Sequence, residues 1–121
     1  MDKIKSLYKF AFFGTGDFAV KILDILLQDN YIPEIIITTP DKPKGRKMEL
    51  TPSPVKNWVQ KNNIKTITDY SLLVTHYDLF IVADYGKILP KEIINMPKHK
   101  TLNVHPSILP KFRGPSPIQS F

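Results

Sequence analysis

The chain has 121 residues, 42% of them hydrophobic and none of them cysteine, which suits one domain with a real core and excludes wholesale disorder, a disulfide framework and a thiolate metal site. Its 17 lysines and arginines outnumber 11 acidic residues for a formal charge of +6, so the surface favours anionic partners such as phosphates or nucleic acid. No stretch nears the ~20 consecutive apolar residues of a membrane span, and the apolar run after the charged residues 1–8 is too short for a signal-peptide core, so a cytoplasmic protein with no membrane partner is expected.

Residues 9–13 form a short aromatic-rich run ending in Gly14-Thr15-Gly16, the pattern of a buried strand feeding a tight turn. Phe18, Ile22, Ile25 and Leu26, flanked by Ala19, Leu23 and Leu27, recur at helical spacing, with Asp17 as the expected cap. Residues 34–39 are β-branched enough for a second strand buried on both faces.

The stretch 40–54 carries four prolines and a glycine, so no regular structure is expected there. It concentrates Lys42, Lys44, Arg46 and Lys47, which suits a binding loop and a solvated charge run equally well. Val55, Trp58 and Val59 mark a second helix, with Pro54 tolerated in its first turn. Residues 64–67 read as a third strand, 70–75 as an irregular or helical crossover, and 79–83 as a fourth strand ending at Asp84-Tyr85-Gly86. A brief helix over 92–95 and a fifth strand over 101–104 complete the pattern, the last strand being expected to leave a free edge. Strands alternating with helices predict an α/β, Rossmann-like, doubly wound and mainly parallel sheet of about five strands.

In such sheets ligands occupy the crevice beyond the carboxyl ends of the strands, where strand order reverses. Three polar clusters fall at those ends: 14–17, 84–86 and 103–107. Asn103 and His105, two apart on a strand, share a face and make a plausible reaction centre; a satisfied histidine at a strand end is the plainer alternative. Gly14-Thr15-Gly16-Asp17-Phe18-Ala19 also fits the short G-x-G-x-x-A fingerprint, which leaves open an NAD(P)-binding module or a tight turn that binds nothing. His76 and His99 lack ligand spacing, and no metal is expected.

Several blocks occur in a telling order: Phe13-Gly14-Thr15, Asp17-Phe18-Ala19-Val20, Pro40-Asp41-Lys42-Pro43, Gly45-Arg46, Leu50-Thr51-Pro52-Ser53-Pro54-Val55-Lys56, Tyr85-Gly86-Lys87-Ile88-Leu89-Pro90, and the run from Asn103-Val104-His105-Pro106-Ser107 to Arg113-Gly114. Together they resemble the methionyl-tRNA formyltransferase family. The last block alone is similar to the wider folate-dependent formyltransferases, including those acting on sugar nucleotides.

The resemblance implies transfer of a formyl group from 10-formyltetrahydrofolate to the amino group of initiator methionyl-tRNA, a step of translation initiation. It implies Asn103 and His105 as catalytic residues. It implies folate contacts from Ser107, Ile108, Leu109 and Pro110 and from Tyr85, Gly86, Ile88, Leu89 and Pro90, and tRNA contacts from Lys42, Lys44 and Arg46. On this reading residues 1–121 are the amino-terminal part of a catalytic domain, with a basic loop over 40–54. The family's third catalytic residue, an aspartate, the remaining strands and a tRNA-binding domain are expected further along, so that little activity is expected of these residues alone. Three features depart from the family pattern that the resemblance implies: that aspartate has no counterpart here, Gly16 stands where a proline is usual, and Met48-Glu49 where basic residues commonly continue; Asp84 sits at a strand end where the family more often has a small residue. Asp84 is not assigned the missing aspartate's role.

Overall fold

The computed structural model describes residues 8–73 and 76–105, and residues 118–120 through their backbone. Strand β1 (Phe10–Gly14) is buried along its whole length because it lies in the middle of the sheet. It runs parallel to β2 (Ile35–Ile37) on one side and to β6 (Leu79–Ala83) on the other. β5 (Thr66–Ile67) extends the sheet beyond β2, and β7 (Lys100–Val104) extends it beyond β6, both again parallel. Taken in chain order, the five parallel strands are arranged 3-2-1-4-5, the doubly wound order whose reversal lies between the first and fourth strands, here β1 and β6.

Side chains two apart share a face of a strand, and β1 shows what that does. Ala11 and Phe13 enter one core layer with Ile35, Ile37, Phe80 and Val82, while Phe12 enters the opposite layer with Ile36, Val55, Trp58 and Val104. Phe12, Phe13 and Phe80 are fully buried, each contributing about 2 kcal/mol from apolar area removed from water.

Helices α1 (Asp17–Gln28) and α2 (Pro54–Asn62) cover the Phe12 face, burying Ala19 and Leu23 from the first and Val55, Trp58 and Val59 from the second. Trp58 Nε1 donates to Asp24 Oδ1 at 2.7 Å and joins the two. The short helix α3 (Lys91–Ile94) and a 3₁₀ turn (Tyr70–Leu72) belong to the other face, where Leu73, Tyr77, Leu89 and Ile93 are buried.

Three local expectations are corrected. Asp17 does not cap α1: Gly16 occupies the cap without a side-chain bond, and Asp17 is in the first turn, where its charge still complements the helix dipole. The Pro-rich stretch is not irregular throughout but holds an antiparallel hairpin, β3 (Lys42–Lys44) with β4 (Glu49–Thr51). Pro43 pairs with Leu50 in this ribbon, and every strand of a two-stranded ribbon is an edge, where proline's missing N–H is tolerated. Its turn is closed by Met48 N–H donating to the Gly45 carbonyl at 3.1 Å, with φ of 77° at Gly45 and 52° at Met48. The fifth strand is not a free edge either, since β8 (Ile118–Ser120) pairs antiparallel with β7.

Candidate active site

The order reversal places the loops after β1 and β6 side by side, and Thr15 ties them together. Thr15 N–H donates to the Asp84 carbonyl at 2.7 Å, and Gly86 N–H donates to Thr15 Oγ1 at 3.1 Å. The hydroxyl of Thr39, beyond β2, donates to the same Oγ1 at 3.3 Å, and Val55 N–H at the start of α2 donates to the Thr15 carbonyl at 3.1 Å. One residue thereby holds four segments of the rim. Sequence reasoning missed it; its position between two glycines of a tight turn, where a lone polar side chain faces converging loops, was the available signal.

Beyond β6, a cavity of about 380 Å³ opens between the 84–89 loop and the end of β7. That volume falls in the range of small-molecule sites. Tyr85, Ile88 and Leu89 line one side and Asn103 and His105 the other. Ile88 is 94% exposed, an apolar side chain held at the cavity's mouth, whereas Leu89 is buried. Tyr85 packs edge-on against Phe13 with ring centroids 5.5 Å apart. Its hydroxyl is buried and has no hydrogen-bond partner among the described residues. Burial, with smaller contributions from Tyr70 and Asp69, pushes the Tyr85 phenol up to about 12, so that it stays a neutral donor.

Asn103 and His105, which the two-residue spacing puts on one face, come together directly: Asn103 Nδ2 lies 3.0 Å from His105 Nε2. With the amide nitrogen as donor, Nε2 accepts from Asn103.

Gly86 does not line this cavity but is held at Thr15, and Pro90 is the cap residue of α3. Ser107, Ile108, Leu109 and Pro110 lie outside the described residues. Lys42 and Lys44 line a second cavity, of about 320 Å³, together with Thr15, Thr39 and Ser53. Lys42 Nζ lies 3.8 Å from where a Cβ on Gly86 would be. Arg46 is in the hairpin turn and does not line the second cavity. The hairpin's root is anchored by a 2.7 Å hydrogen bond between the buried Thr38 and Ser53 hydroxyls and by the Lys56–Asp41 ion pair at 2.9 Å. Ser53 also caps α2, accepting from Lys56 N–H at 3.0 Å.

Gly16 and Asp17 line the second cavity as well, and the Asp84 carboxylate lies against Gly16. Among the described residues no group of three or more metal-ligating side chains occurs, and no helix is long and apolar enough to cross a membrane.

A 3-2-1-4-5 parallel sheet with an amide–imidazole pair and a ligand-sized cavity at its carboxyl-end rim defines an α/β domain whose candidate site is built from the ends of β6 and β7, next to the order reversal. Residues 8–121 match the model of the family described as Formyl transferase, and the chain belongs to that family of enzymes. It is 47% identical to the methionyl-tRNA formyltransferase of Sulfurihydrogenibium sp. (strain YO3AOP1), over 92% of this chain and 39% of that protein. It is 42% identical to the methionyl-tRNA formyltransferase of Geobacillus sp. (strain WCH70), over 93% of this chain and 38% of the relative, and 40% identical to that of Bacillus subtilis (strain 168), over 91% and 38%. The chain thus spans about two-fifths of the length of these relatives. Family membership implies a formyl donor.

Proposed function

We propose that this chain forms the formyl-donor side and part of the reaction centre for formyl transfer from 10-formyltetrahydrofolate to the amino group of initiator methionyl-tRNA, in the cytoplasm, at the start of translation. Residues 1–121 are then the amino-terminal part of a formyltransferase catalytic domain. The observation that carries this is the Asn103–His105 pair facing the Tyr85–Leu89 loop across one cavity.

Attack of an amine on a formyl carbon gathers negative charge on the formyl oxygen, and fixed donors aimed at that charge lower the barrier. The Asn103 amide supplies one such donor. His105, oriented by Asn103, supplies a ring that exchanges a proton during transfer. The residues present fit the folate: Ile88 and Leu89 offer apolar contact, and Tyr85 forms part of the same wall. When bound, the folate supplies the formyl group. Gly86 and Pro90 shape the loop, and Ser107, Ile108, Leu109 and Pro110 are assigned folate contacts by the family resemblance alone. Lys42, Lys44 and Arg46 contact acceptor-end phosphates, which position the substrate without reading its bases.

The names of the relatives support tRNA over a sugar nucleotide as the acceptor. The test is binding by this chain of 5-formyltetrahydrofolate, a stable donor analogue, followed by thermal shift beside NADPH. Stabilisation by the folate that is lost in Tyr85→Ala is the expected result. Stabilisation by NADPH alone would overturn the reading.

A further inference from the structure

Gly16 and Asp84 lie against each other. A Cβ built on Gly16 would overlap the Asp84 carboxylate at Oδ2 and lie 2.9 Å from Cγ. Asp84 holds a φ of 52°, and its carbonyl accepts the N–H groups of Thr15 at 2.7 Å and Gly16 at 3.3 Å. The backbone is therefore fixed, and a side chain at residue 16 would force the carboxylate to move. Asp84 is exposed and is one of the residues lining the same cavity as Asn103 and His105.

That carboxylate makes no ion pair among the described residues, although Lys87 lines the cavity beside it and the chain as a whole is basic. A carboxylate accepts a hydrogen bond from an amine and a stronger, charge-assisted one from an ammonium group. The formamide made by transfer has lost the amine's basicity and has only one N–H. We propose that Asp84 receives the amino group of the acceptor, acting as a specificity-determining residue of the site, and that Gly16 exists in this chain to accommodate it. The inference rests on the formyl-transfer reading and adds to it the group that tells an amine substrate from its formylated product.

The experiment titrates the isotope-labelled chain, followed by backbone amide shifts, with methionine methyl ester, with N-formylmethionine methyl ester, and separately with 5-formyltetrahydrofolate. Asp84→Asn is the variant because asparagine tolerates positive φ and keeps the side chain's shape. The expected result is roughly tenfold weaker binding of the amine ester in Asp84→Asn, with the formylated ester and the folate bound as in the unaltered chain. Equal affinity of both proteins for the amine ester, or no binding of it by the unaltered chain, overturns the inference. Loss of folate binding by the unaltered chain instead overturns the formyl-transfer reading, so the two failures are told apart.

Discussion

Gly86 donates its backbone N–H to the hydroxyl of Thr15, a residue 71 positions earlier, at 3.1 Å. This bond fastens the loop after β6 to the turn after β1, and the Thr39 hydroxyl shares the same acceptor. Thr15→Val removes that acceptor from both donors at unchanged shape. A loss of about 1–2 kcal/mol is expected in urea denaturation, because an unpaired polar group costs more than the bond returns. Thr15→Ser, which keeps the hydroxyl, restores most of it.

The Gly16–Asp84 contact has a measurable energetic signature. Gly16 has ordinary extended-cap dihedrals, so Gly16→Ala costs no backbone strain and gains about 0.4–1 kcal/mol by restricting the unfolded chain. Against that stands the overlap with the carboxylate. In an Asp84→Ala background Gly16→Ala is expected to stabilise; with Asp84 present it is expected to be neutral or destabilising. A double-mutant cycle measured by chemical denaturation should give a coupling of about 1 kcal/mol, and additive effects would show that the two side chains do not compete.

Tyr85 provides a test at high pH. A phenol is charged only after losing its proton, and the folded state holds that proton to about 12, against an ordinary value of 10.0. Between these values the folded chain binds a proton the unfolded chain has lost. The stability this contributes is complete below pH 10 and disappears as the pH rises toward 12. The urea midpoint should fall more steeply above pH 10 in the unaltered protein than in Tyr85→Phe, and absorbance titration should lose its last-ionising tyrosine in that variant.

The helix pair is pinned by a single polar contact. Trp58→Phe keeps the aromatic packing and deletes the Nε1–H donated to Asp24. Destabilisation by about 1–2 kcal/mol is expected for a bond to a charged acceptor at a partly exposed site. Asp24→Ala should match it within a few tenths of a kcal/mol, and the combined variant should cost little more than either alone.

For the hairpin, replacing Lys42, Lys44 or Arg46 by alanine should weaken binding to tRNA. The dependence of log K on log salt should shrink by about 1 for each side chain that contacts a phosphate. An unchanged salt slope in all three variants would place the phosphate contacts elsewhere.

Much of the architecture is written in local patterns. The apolar runs at β1, β2 and β6 and the helical spacing of Phe18 to Leu27 are signals of burial, and burial is what a chain's hydrophobic periodicity reports. The shared face of Asn103 and His105 likewise follows from the two-residue period of a strand. Hydroxyl and backbone partners carry no such signature. Thr15 looks like any turn residue until β1 and β6 are neighbours, and Asp84 looks like any strand-end aspartate until its carbonyl is bound from the β1 turn. The 42–51 hairpin escaped notice because proline and lysine mark loops locally, whereas a free two-stranded ribbon, edged on both sides, admits both.

By itself, then, the sequence determined which segments are buried, their alternation as strand and helix, the amide and imidazole at the end of β7, and the family resemblance carried by its ordered blocks. Only the tertiary structure decided that the loops after β1, β2 and β6 converge on Thr15, that Tyr85 lines the candidate cavity while its hydroxyl is buried, and that the Asp84 carboxylate lies against Gly16. The reason is physical: periodicity records contacts with a common core, while the rim of a parallel sheet is assembled from residues 15, 39, 86 and 103, whose proximity exists only once the strand order has been set.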